Sequence, residues 1–399
     1  MQSTTNDRVL FLDNLRWLII FLVITLHAGC AYSFYTTYWA VNDDNSRFFD
    51  ILLGILLLFE MPTLFFISGY FAIPSFSNKT AGSFINRKIN RLAIPWLIGV
   101  VLLGPAKAII YNYSRGDHSL SFFELFKILM INAFSLQTAP LETIDQFNHW
   151  HLWYVSLLFY FFLIFVVAIK MKQFLKLSLP FKTGGIASDR EILLVLFLAA
   201  LSASLLILAA RFGIFAGKVR DPWLVIVTIF QFRTSNLILH FICFWVGVYA
   251  FHRNWFSHEK PPGNMIIWSV ASILLSGGMI GTLVLKMYTL SVFVQSFACF
   301  AIILFFLSFA KKSMDKTNPL CKSLANNSYN VYLVHMVFII TIQLALFKLW
   351  TGFIFVKFFI VTISTIVISY LVSRFALTPH PRLSVAGLFS LFLVFCLII

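Results

Sequence analysis

The sequence predicts an all-α, polytopic transmembrane helical bundle with about 10–11 spans. Of its 399 residues, 60% are hydrophobic and only 11% are charged, whereas soluble domains average about 25% charged residues. The apolar residues form long continuous runs and not the ~10-residue alternating segments of an outer-membrane barrel. Residues 1–399 are therefore predicted to form a single integral-membrane domain, and any chemistry must take place inside the bundle.

The apolar runs give the approximate limits of each span. They lie near residues 15–37, 51–74, 92–112, 151–170, 191–215, 222–251, 265–285, 289–310, 328–348, 353–373 and 384–399. The sixth run contains Gln231 and Arg233 in a polar first half. Polar groups at membrane depth need protein or water around them, so this half is predicted to be broken or to line a cavity. The last run is short for a full crossing.

The connecting loops carry an uneven distribution of cations. Alternate connections, beginning with residues 75–91, carry 17 Lys or Arg in total, whereas the remaining connections carry 8. By the positive-inside rule the first set is cytoplasmic, as is the N-terminus, which predicts a multi-pass protein of the inner (plasma) membrane. The net charge of +15 then reflects membrane topology, so nucleic acid is not an expected partner. The five cysteines show no metal-binding spacing, and no metal site is predicted.

His27 lies within an apolar run, residues 15–31, that is long enough to cross a bilayer. A charged group at that depth costs roughly 2.5–3.5 kcal/mol or more, so such a residue is functional by default. Arg16 precedes it by eleven residues, or roughly 16 Å along a helix. One helix thus presents a permanent cation at one face and a titratable base near the middle. The alternative is a histidine that only bonds to a neighbouring helix carbonyl.

Glu60 and Ser68 belong to the second predicted span. An intramembrane acid needs a cationic or proton-sharing partner. Two interpretations of Glu60 remain open: it lies near His27 and orients the imidazole, or it lies at the outer interface. Ser68 precedes Gly69, where a neighbouring helix or a ligand can approach the backbone closely. Ser68 is a candidate nucleophile, although serines in helices more often bond back to the preceding turn.

A cluster of cations, Arg87, Lys88 and Arg91, precedes the third span on one side of a helix. The cluster is either a topology anchor or a site for a multiply phosphorylated ligand, because arginine binds phosphate through paired hydrogen bonds.

His149, His151 and Trp153 open the fourth span. Histidines at i and i+2 do not share a helix face, which disfavours a metal site. Aromatic residues at a membrane boundary are typical of interfacial belts. The two histidines are nevertheless candidate contacts for a hydroxyl-rich ligand at an outer mouth. Tyr332 and His335 share a face of the ninth span and form either a structural hydrogen-bonded pair or a further part of the substrate site.

Together, these motifs resemble the integral-membrane acyltransferase-3 family. The matching features are Arg16 and His27 on the first span, Phe65–Tyr70, Lys88 and Arg91 before Pro95, His151–Trp153 and Ser328–His335. The resemblance covers residues 8–375 and leaves 376–399 as an extra C-terminal hydrophobic segment. The FLDNLRW and SGYF segments look similar to the branch that succinylates periplasmic glucans. The family usually has Arg-x-x-Arg where this chain has Lys88 and Arg91; Lys88 keeps the charge but lacks the bidentate fork, and Arg87 stands beside it.

The resemblance implies an O-acyltransferase of the cell envelope. Such an enzyme moves an acetyl-class or succinyl-class group from cytoplasmic acyl-CoA to a hydroxyl of an extracytoplasmic glycan. Acyl-CoA is then a donor substrate, with no tightly bound cofactor, and the bilayer and a carbohydrate acceptor are the other partners. The resemblance implies His27 as general base. The residues expected around it are Glu60 as a second catalytic group; Arg16, Arg87, Lys88, Arg91 and Ser68 for the donor; and His149, His151, Trp153, Tyr332 and His335 for the acceptor. Direct transfer and a covalent acyl-enzyme both remain open.

Two other classes of function compete with this one. A transporter would use Arg233 on a broken sixth helix together with His27 and Glu60, but the sequence shows no internal repeat. A membrane scaffold or receptor would not bind coenzyme A.

Overall fold

The computed structural model describes residues 9–117, 119–133, 149–176, 185–214, 223–226, 230–256, 264–316 and 318–380, and positions 387, 390, 392 and 394. Over these residues the fold is a helical bundle, as predicted, with ten helical segments that are long and apolar enough to cross a membrane. The segments are Leu10–Tyr32, Arg47–Tyr70, Ala81–Ser114, Trp150–Phe174, Asp189–Gly213, Thr234–His252, Met265–Val284, Tyr288–Ser313, Pro319–Leu349 and Ile354–Leu377. The predicted eleventh span, 384–399, lies almost entirely outside the described residues.

The regular elements within these segments are named in chain order. The first seven helices are α1 Leu10–Gly29, α2 Arg47–Leu56, α3 Glu60–Tyr70, α4 Ala72–Phe76, α5 Ala81–Lys88, α6 Ile94–Ser114 and α7 Phe122–Ala133. The later helices are α8 Trp153–Phe174, α9 Asp189–Ala209, α10 Thr234–His252, α11 Met265–Val284, α12 Tyr288–Ser313, α13 Pro319–Leu349 and α14 Ile354–Val372. Short π-helical turns cover Ile89–Ala93, Ala210–Ile214 and Ser373–Leu377, and 3₁₀ turns cover Cys30–Tyr32 and Trp150–Leu152.

Helix α1 lies at the centre of the bundle. It packs against α3, α12, α13 and α14, and side chains such as Leu15, Ile19 and Val23 are fully buried. The helix begins before the predicted residue 15 and ends at Gly29, well before residue 37. The sequence predicts His27 near the middle of this helix, but in the structure His27 lies in the last turn of α1.

The second span is interrupted between α2 and α3. The backbone of Leu57–Phe59 forms turns, with Leu58 N–H donating to the Ile55 carbonyl. Pro62 has no N–H to donate to the Leu58 carbonyl four residues earlier, so a continuous helix would lose that bond. The interruption places Glu60 at the first position of α3, inside the bundle.

Helices α3 and α10 cross at two glycines. A Cβ on Gly69 would lie 1.9 Å from the Phe244 carbonyl oxygen, and one on Gly247 would lie 2.0 Å from the Phe66 carbonyl oxygen. Neither position has room for a side chain. The glycine of the SGYF segment thus permits close contact between helices, as small residues do in membrane bundles.

The third span contains a π-helical turn, Ile89–Ala93, between α5 and α6. Pro95 lacks the N–H that would donate to the Arg91 carbonyl in an α-helix. That carbonyl instead accepts a hydrogen bond from the Tyr329 hydroxyl of α13. The turn therefore links the cation cluster to the ninth span, and π-helical turns often occur at functional sites.

The polar half of the sixth predicted span forms two antiparallel strands, β1 Trp223–Ile226 and β2 Phe230–Arg233, paired with Leu224 opposite Phe232. The helix starts only at Thr234. The interruption of this span was predicted, but the strands were not. Their content of Val, Ile and Phe is typical of β-structure, which the length of the apolar run concealed.

Helix α7 lies in the long connection after the third span. Its first turn is a capping box in which the Ser121 backbone N–H donates to a Glu124 carboxylate oxygen at 2.7 Å, and the Glu124 N–H donates to the Ser121 hydroxyl. The hydrogen bonds from Ser121 lower the pKa of the Glu124 carboxyl. Residues 134–148, the rest of this connection, lie outside the described residues.

Candidate active site

Three histidines from three separate spans meet inside the bundle: His27 from α1, His151 from the 3₁₀ turn before α8, and His335 from α13. The ring centroids of His27 and His335 are 5.3 Å apart, those of His151 and His335 are 5.2 Å apart, and those of His27 and His151 are 6.5 Å apart. His151 and His335 are buried, and His27 keeps a partly accessible surface. We call these residues the histidine cluster.

The hydrogen bonds of the cluster fix the tautomer of His27. Its Nδ1 lies 2.8 Å from the Val23 carbonyl oxygen, which can only accept a hydrogen bond. Nδ1 therefore carries the proton, and Nε2 keeps a free lone pair. His335 is held in the same way, because its Nδ1 lies 2.5 Å from the Tyr332 carbonyl. Among the described residues, Nε2 of His151 and Nε2 of His335 have no hydrogen-bond partner.

Trp39 and Gln343 cover the cluster on one side. The Trp39 ring lies 5.6 Å from the His27 ring, and its indole N–H donates to the Gln343 side-chain oxygen at 2.8 Å. The Gln343 amide in turn donates to the Ala28 carbonyl at 3.0 Å. These bonds fasten the loop after α1 to α13 and hold the ends of both helices beside the imidazoles.

Glu60 does not orient His27. It is 2% exposed, and its Oε1 has no hydrogen-bond partner in the described part of the chain. No hydrogen bond between described residues joins it to His27, whose Nδ1 is held by Val23. Glu60 interacts electrostatically with Cys30 instead. The alternative, a position at the depth of the outer interface, stays a prediction, because burial among helices does not fix the depth of a side chain in the membrane.

Three tyrosines connect the cation cluster with the histidine cluster. The Tyr329 hydroxyl bonds to the Arg91 carbonyl and interacts electrostatically with Tyr154. The Tyr154 ring lies 5.4 Å from that of Tyr332, whose hydroxyl donates to the His151 carbonyl. We call Tyr154, Tyr329 and Tyr332 the tyrosine column.

Ser68 and Arg16 lie beside this column. The Ser68 Oγ is 3.2 Å from the Tyr154 hydroxyl. The hydrogen bond to the preceding turn that the sequence favoured is therefore replaced by a contact with another helix. The Arg16 guanidinium pairs with Asp13 at 2.6 Å and interacts electrostatically with Tyr154. Both side chains therefore reach the tyrosine column at Tyr154.

The cations before α6 are grouped, as the sequence suggested. Lys88 interacts electrostatically with Arg87 and Arg91, and its ammonium lies over the Phe162 ring, 3.6 Å from the centroid. Arg87 and Arg91 are exposed. Exposed guanidiniums around a half-buried ammonium form a surface suited to several phosphate oxygens.

Residues His149, His151 and Trp153 do not form an exposed outer mouth. His149 is 3% exposed and His151 is 5% exposed. The His149 ring lies 5.1 Å from Trp96, and the Trp153 ring stacks on His240 at 5.3 Å. The physical reason is the backbone at Trp150, whose φ of 49° is left-handed. This turn directs the chain into the bundle, so that only His151 of the three reaches the histidine cluster.

Sequence reasoning overlooked Lys107 on α6. Its ammonium lies 3.2 Å from the centroid of the Trp150 ring and 4.8 Å from that of Trp39, and it is 3% exposed. A lysine in the apolar run LLGPAKAII meets the same criterion that singled out His27, and that signal was present in the sequence. Tyr154 and Gln343 carried no comparable signal.

The arrangement can support a proton transfer between groups held within the membrane. His27 Nε2 is an available base, and the cations at the other end of the tyrosine column can hold a charged ligand. In the described part of the chain, no group of three His, Cys, Asp or Glu side chains is arranged to hold a metal ion. The residue that the transporter hypothesis placed in a cavity, Arg233, is exposed on β2.

Comparison with protein families agrees with this geometry. The acyltransferase-3 family model, described as an acyltransferase domain, matches residues 9–374. No curated protein and no solved structure matches the chain. The match spans nearly all of the described bundle and includes both clusters and the tyrosine column.

The fold and the match define a membrane-embedded enzyme that transfers acyl groups. The chain belongs to the acyltransferase-3 family.

Proposed function

We propose that this acyltransferase moves an acetyl-class or succinyl-class group from cytoplasmic acyl-CoA to a hydroxyl of an extracytoplasmic glycan, with His27 as general base. The observation that supports the role of His27 most directly is its tautomer. The Val23 carbonyl holds the proton on Nδ1, so the free Nε2 is the atom that accepts a proton. General bases contribute about 10²–10⁴-fold to enzymatic rates.

In the proposed reaction, His27 Nε2 removes the proton from the acceptor hydroxyl as its oxygen attacks the thioester carbonyl carbon. The tetrahedral intermediate then expels the thiolate of coenzyme A, and the new ester bond is complete. The His27 imidazolium returns the proton to the thiolate, which leaves as a thiol. The imidazole ends in its starting form, so no other proton donor is required.

The donor binds with its phosphates on Arg87, Lys88 and Arg91 and with its chain along the tyrosine column, beside Arg16 and Ser68. Arg91 and His27 are the two ends of this path. On the same proposal the acceptor approaches His151, Tyr332 and His335 from the opposite side. His149 and Trp153 pack behind these residues and position them. Glu60 keeps no direct role in the proton transfer.

The test of the base is His27→Ala. We expect the rate of acyl transfer to a cell-envelope glycan to fall by about 10²–10⁴-fold. Mass spectrometry of the glycan fraction measures this rate. The matched control is His380→Ala, because His380 is exposed and far along the chain from the cluster. Transfer at the normal rate by His27→Ala, at equal protein abundance, would show that His27 is not the base.

The test of the donor site is the affinity of the purified protein for acetyl-CoA. Arg91→Ala is expected to weaken binding by about tenfold, since hydrogen bonds to charged groups contribute about 1.5–3 kcal/mol. The control is Arg47→Ala, because the Arg47 side chain is 70% exposed and pairs with Asp50, away from the cation cluster. Equal affinity in both variants would contradict the phosphate site.

A further inference from the structure

Lys107 is a buried cation that the proposed reaction does not use. It lies on α6 and is 3% exposed. Its ammonium contacts the Trp150 and Trp39 rings, which attract a cation through their π faces. Such contacts offset only part of the cost of taking an ammonium out of water. None of the ion pairs or hydrogen bonds between described residues includes Lys107 Nζ.

The other buried lysine of the bundle shows what a structural cation looks like in this chain. Lys357 on α14 is 3% exposed and pairs with Asp43, with 2.6 Å between Nζ and the carboxylate oxygen. The ion pair fastens α14 to the loop after α1. Lys107 is equally buried, but in the described part of the chain its neighbours supply aromatic rings and no carboxylate.

Lys107 and His151 line one small cavity. Leu103, Trp150, Met336 and Val337 complete most of its wall. The Trp39 ring lies 4.8 Å from the Lys107 ammonium and 5.6 Å from the His27 ring, so the ammonium lies beside the histidine cluster. A group held by Lys107 would therefore lie next to the reacting atoms.

The position of Lys107 along α6 distinguishes it from the cation cluster. Sixteen residues separate it from Arg91, or roughly 24 Å along a helical path. The order from one end of the site to the other is cation cluster, tyrosine column, histidine cluster and Lys107. A donor whose phosphates lie on Arg91 and whose thioester lies at His27 extends the far end of its acyl group toward Lys107.

We propose that Lys107 binds a carboxylate at the far end of the acyl group, so that the enzyme prefers donors derived from dicarboxylic acids. This inference rests on the proposed function, since it assumes that the thioester lies at the histidine cluster. The carboxylate forms an ion pair with the buried ammonium and neutralises its charge, and the Trp39 and Trp150 rings hold the ammonium in place. The cavity is small, so a side chain of its wall must move to admit the acyl chain, and Met336 is the most flexible apolar side chain there.

The first test compares two donors of the same length in the purified wild-type protein. Succinyl-CoA and butyryl-CoA both carry four-carbon acyl groups, and only the first ends in a carboxylate. We expect calorimetry to show at least about tenfold tighter binding of succinyl-CoA, the effect of one charge-assisted hydrogen bond. Equal binding of the two donors would overturn the proposal without the use of any variant.

The second test uses Lys107→Met, which is expected to abolish the preference by weakening succinyl-CoA alone. Lys107→Arg keeps the charge and is expected to retain most of the preference. The matched control is Lys357→Met, which removes the paired lysine and is expected to leave the ratio of the two affinities unchanged. Binding of coenzyme A itself, which has no acyl group, reports whether each variant is folded.

The outcomes separate this inference from the proposed function. If coenzyme A does not bind, or Arg91→Ala does not weaken it, the donor site is wrong and the inference fails with it. If coenzyme A binds through Arg91 and succinyl-CoA is not favoured, only the inference fails. If Lys107→Met lowers turnover of both donors equally and leaves both affinities unchanged, Lys107 stabilises the reaction's oxyanion and the proposed carboxylate contact is wrong.

Discussion

Tyr332 joins two parts of the site by a single hydrogen bond. Its side chain is 2% exposed, and its hydroxyl donates to the His151 carbonyl. The His151 residue follows Trp150, whose left-handed backbone costs roughly 1–2 kcal/mol for a residue with a Cβ. The bond from Tyr332 therefore helps to hold a turn that the local sequence does not favour.

We expect Tyr332→Phe to destabilise the protein by about 1–3 kcal/mol, because it leaves the buried His151 carbonyl without its donor. Thermal unfolding of the purified protein in detergent measures this change. Tyr35→Phe is the control, since Tyr35 is 73% exposed and surface substitutions stay within about 0.5 kcal/mol. An equally small effect of both substitutions would show that the hydroxyl does not support the turn.

Ionisable residues within apolar runs were the most informative features of the sequence, but only some of them were recognised as candidates. His27 and Glu60 stood out for this reason, yet Lys107 and Lys357 meet the same criterion. Which of them faces the site depends on packing between spans, and the sequence does not contain that information. Lys357 turned out to be paired with Asp43, whereas Lys107 shares a cavity with His151.

At the scale of secondary-structure elements, prolines and glycines determine where spans bend and touch. Pro62 and Pro95 each remove a backbone donor, and each lies next to an interruption of regular α-helix. The sequence showed these residues but not their effects, because a run of apolar residues looks the same whether the helix is continuous or interrupted. The α3–α10 crossing is the clearest case in which a predicted close approach was found.

Gly69→Ala is expected to destabilise the bundle by about 1–3 kcal/mol or more, because the new methyl group would lie 1.9 Å from the Phe244 carbonyl oxygen. Helices α3 and α10 must separate to admit it. Thermal unfolding in detergent again provides the measurement.

The matched control for this crossing is Gly54→Ala. A Cβ at Gly54 on α2 would meet no atom within 4 Å, and alanine is favoured over glycine in a helix by roughly 0.5–1 kcal/mol. The control variant should therefore be as stable as the wild type or more stable. If Gly69→Ala matches it, the two helices do not cross as closely as described.

At the scale of the whole molecule, the composition was sufficient to predict the fold class, and the order of the motifs was sufficient to predict the family. The helical bundle and the acyltransferase family were both predicted. The meeting of His27, His151 and His335 was not predicted, because more than a hundred residues of chain separate each from the next and their spacing carries no helical period. Placing His149 and Trp153 at an outer mouth failed for the same reason: the left-handed turn at Trp150 is a property of the folded chain.

The orientation of the bundle in the membrane follows from loop charge and is open to a direct test. Because cytoplasmic loops carry the excess of Lys and Arg, the connection that contains Ser83 is expected inside the cell and the connection that contains Thr37 outside. Both side chains are exposed. Single substitutions Ser83→Cys and Thr37→Cys place a reactive thiol in each connection, and serine differs from cysteine by one atom.

A membrane-impermeant maleimide should label Thr37→Cys in intact cells, and Ser83→Cys only in inside-out membrane vesicles. Both substitutions are made in a Cys321→Ser background, and that background alone is the labelling control, since Cys30, Cys243 and Cys299 are buried whereas Cys321 is partly exposed. The opposite labelling pattern would show that the bundle has the inverse orientation in the membrane. The cation cluster would then face away from cytoplasmic acyl-CoA, and the direction of transfer proposed for His27 would have to be reversed. Labelling of both variants on the same side would contradict an odd number of crossings between residues 37 and 83.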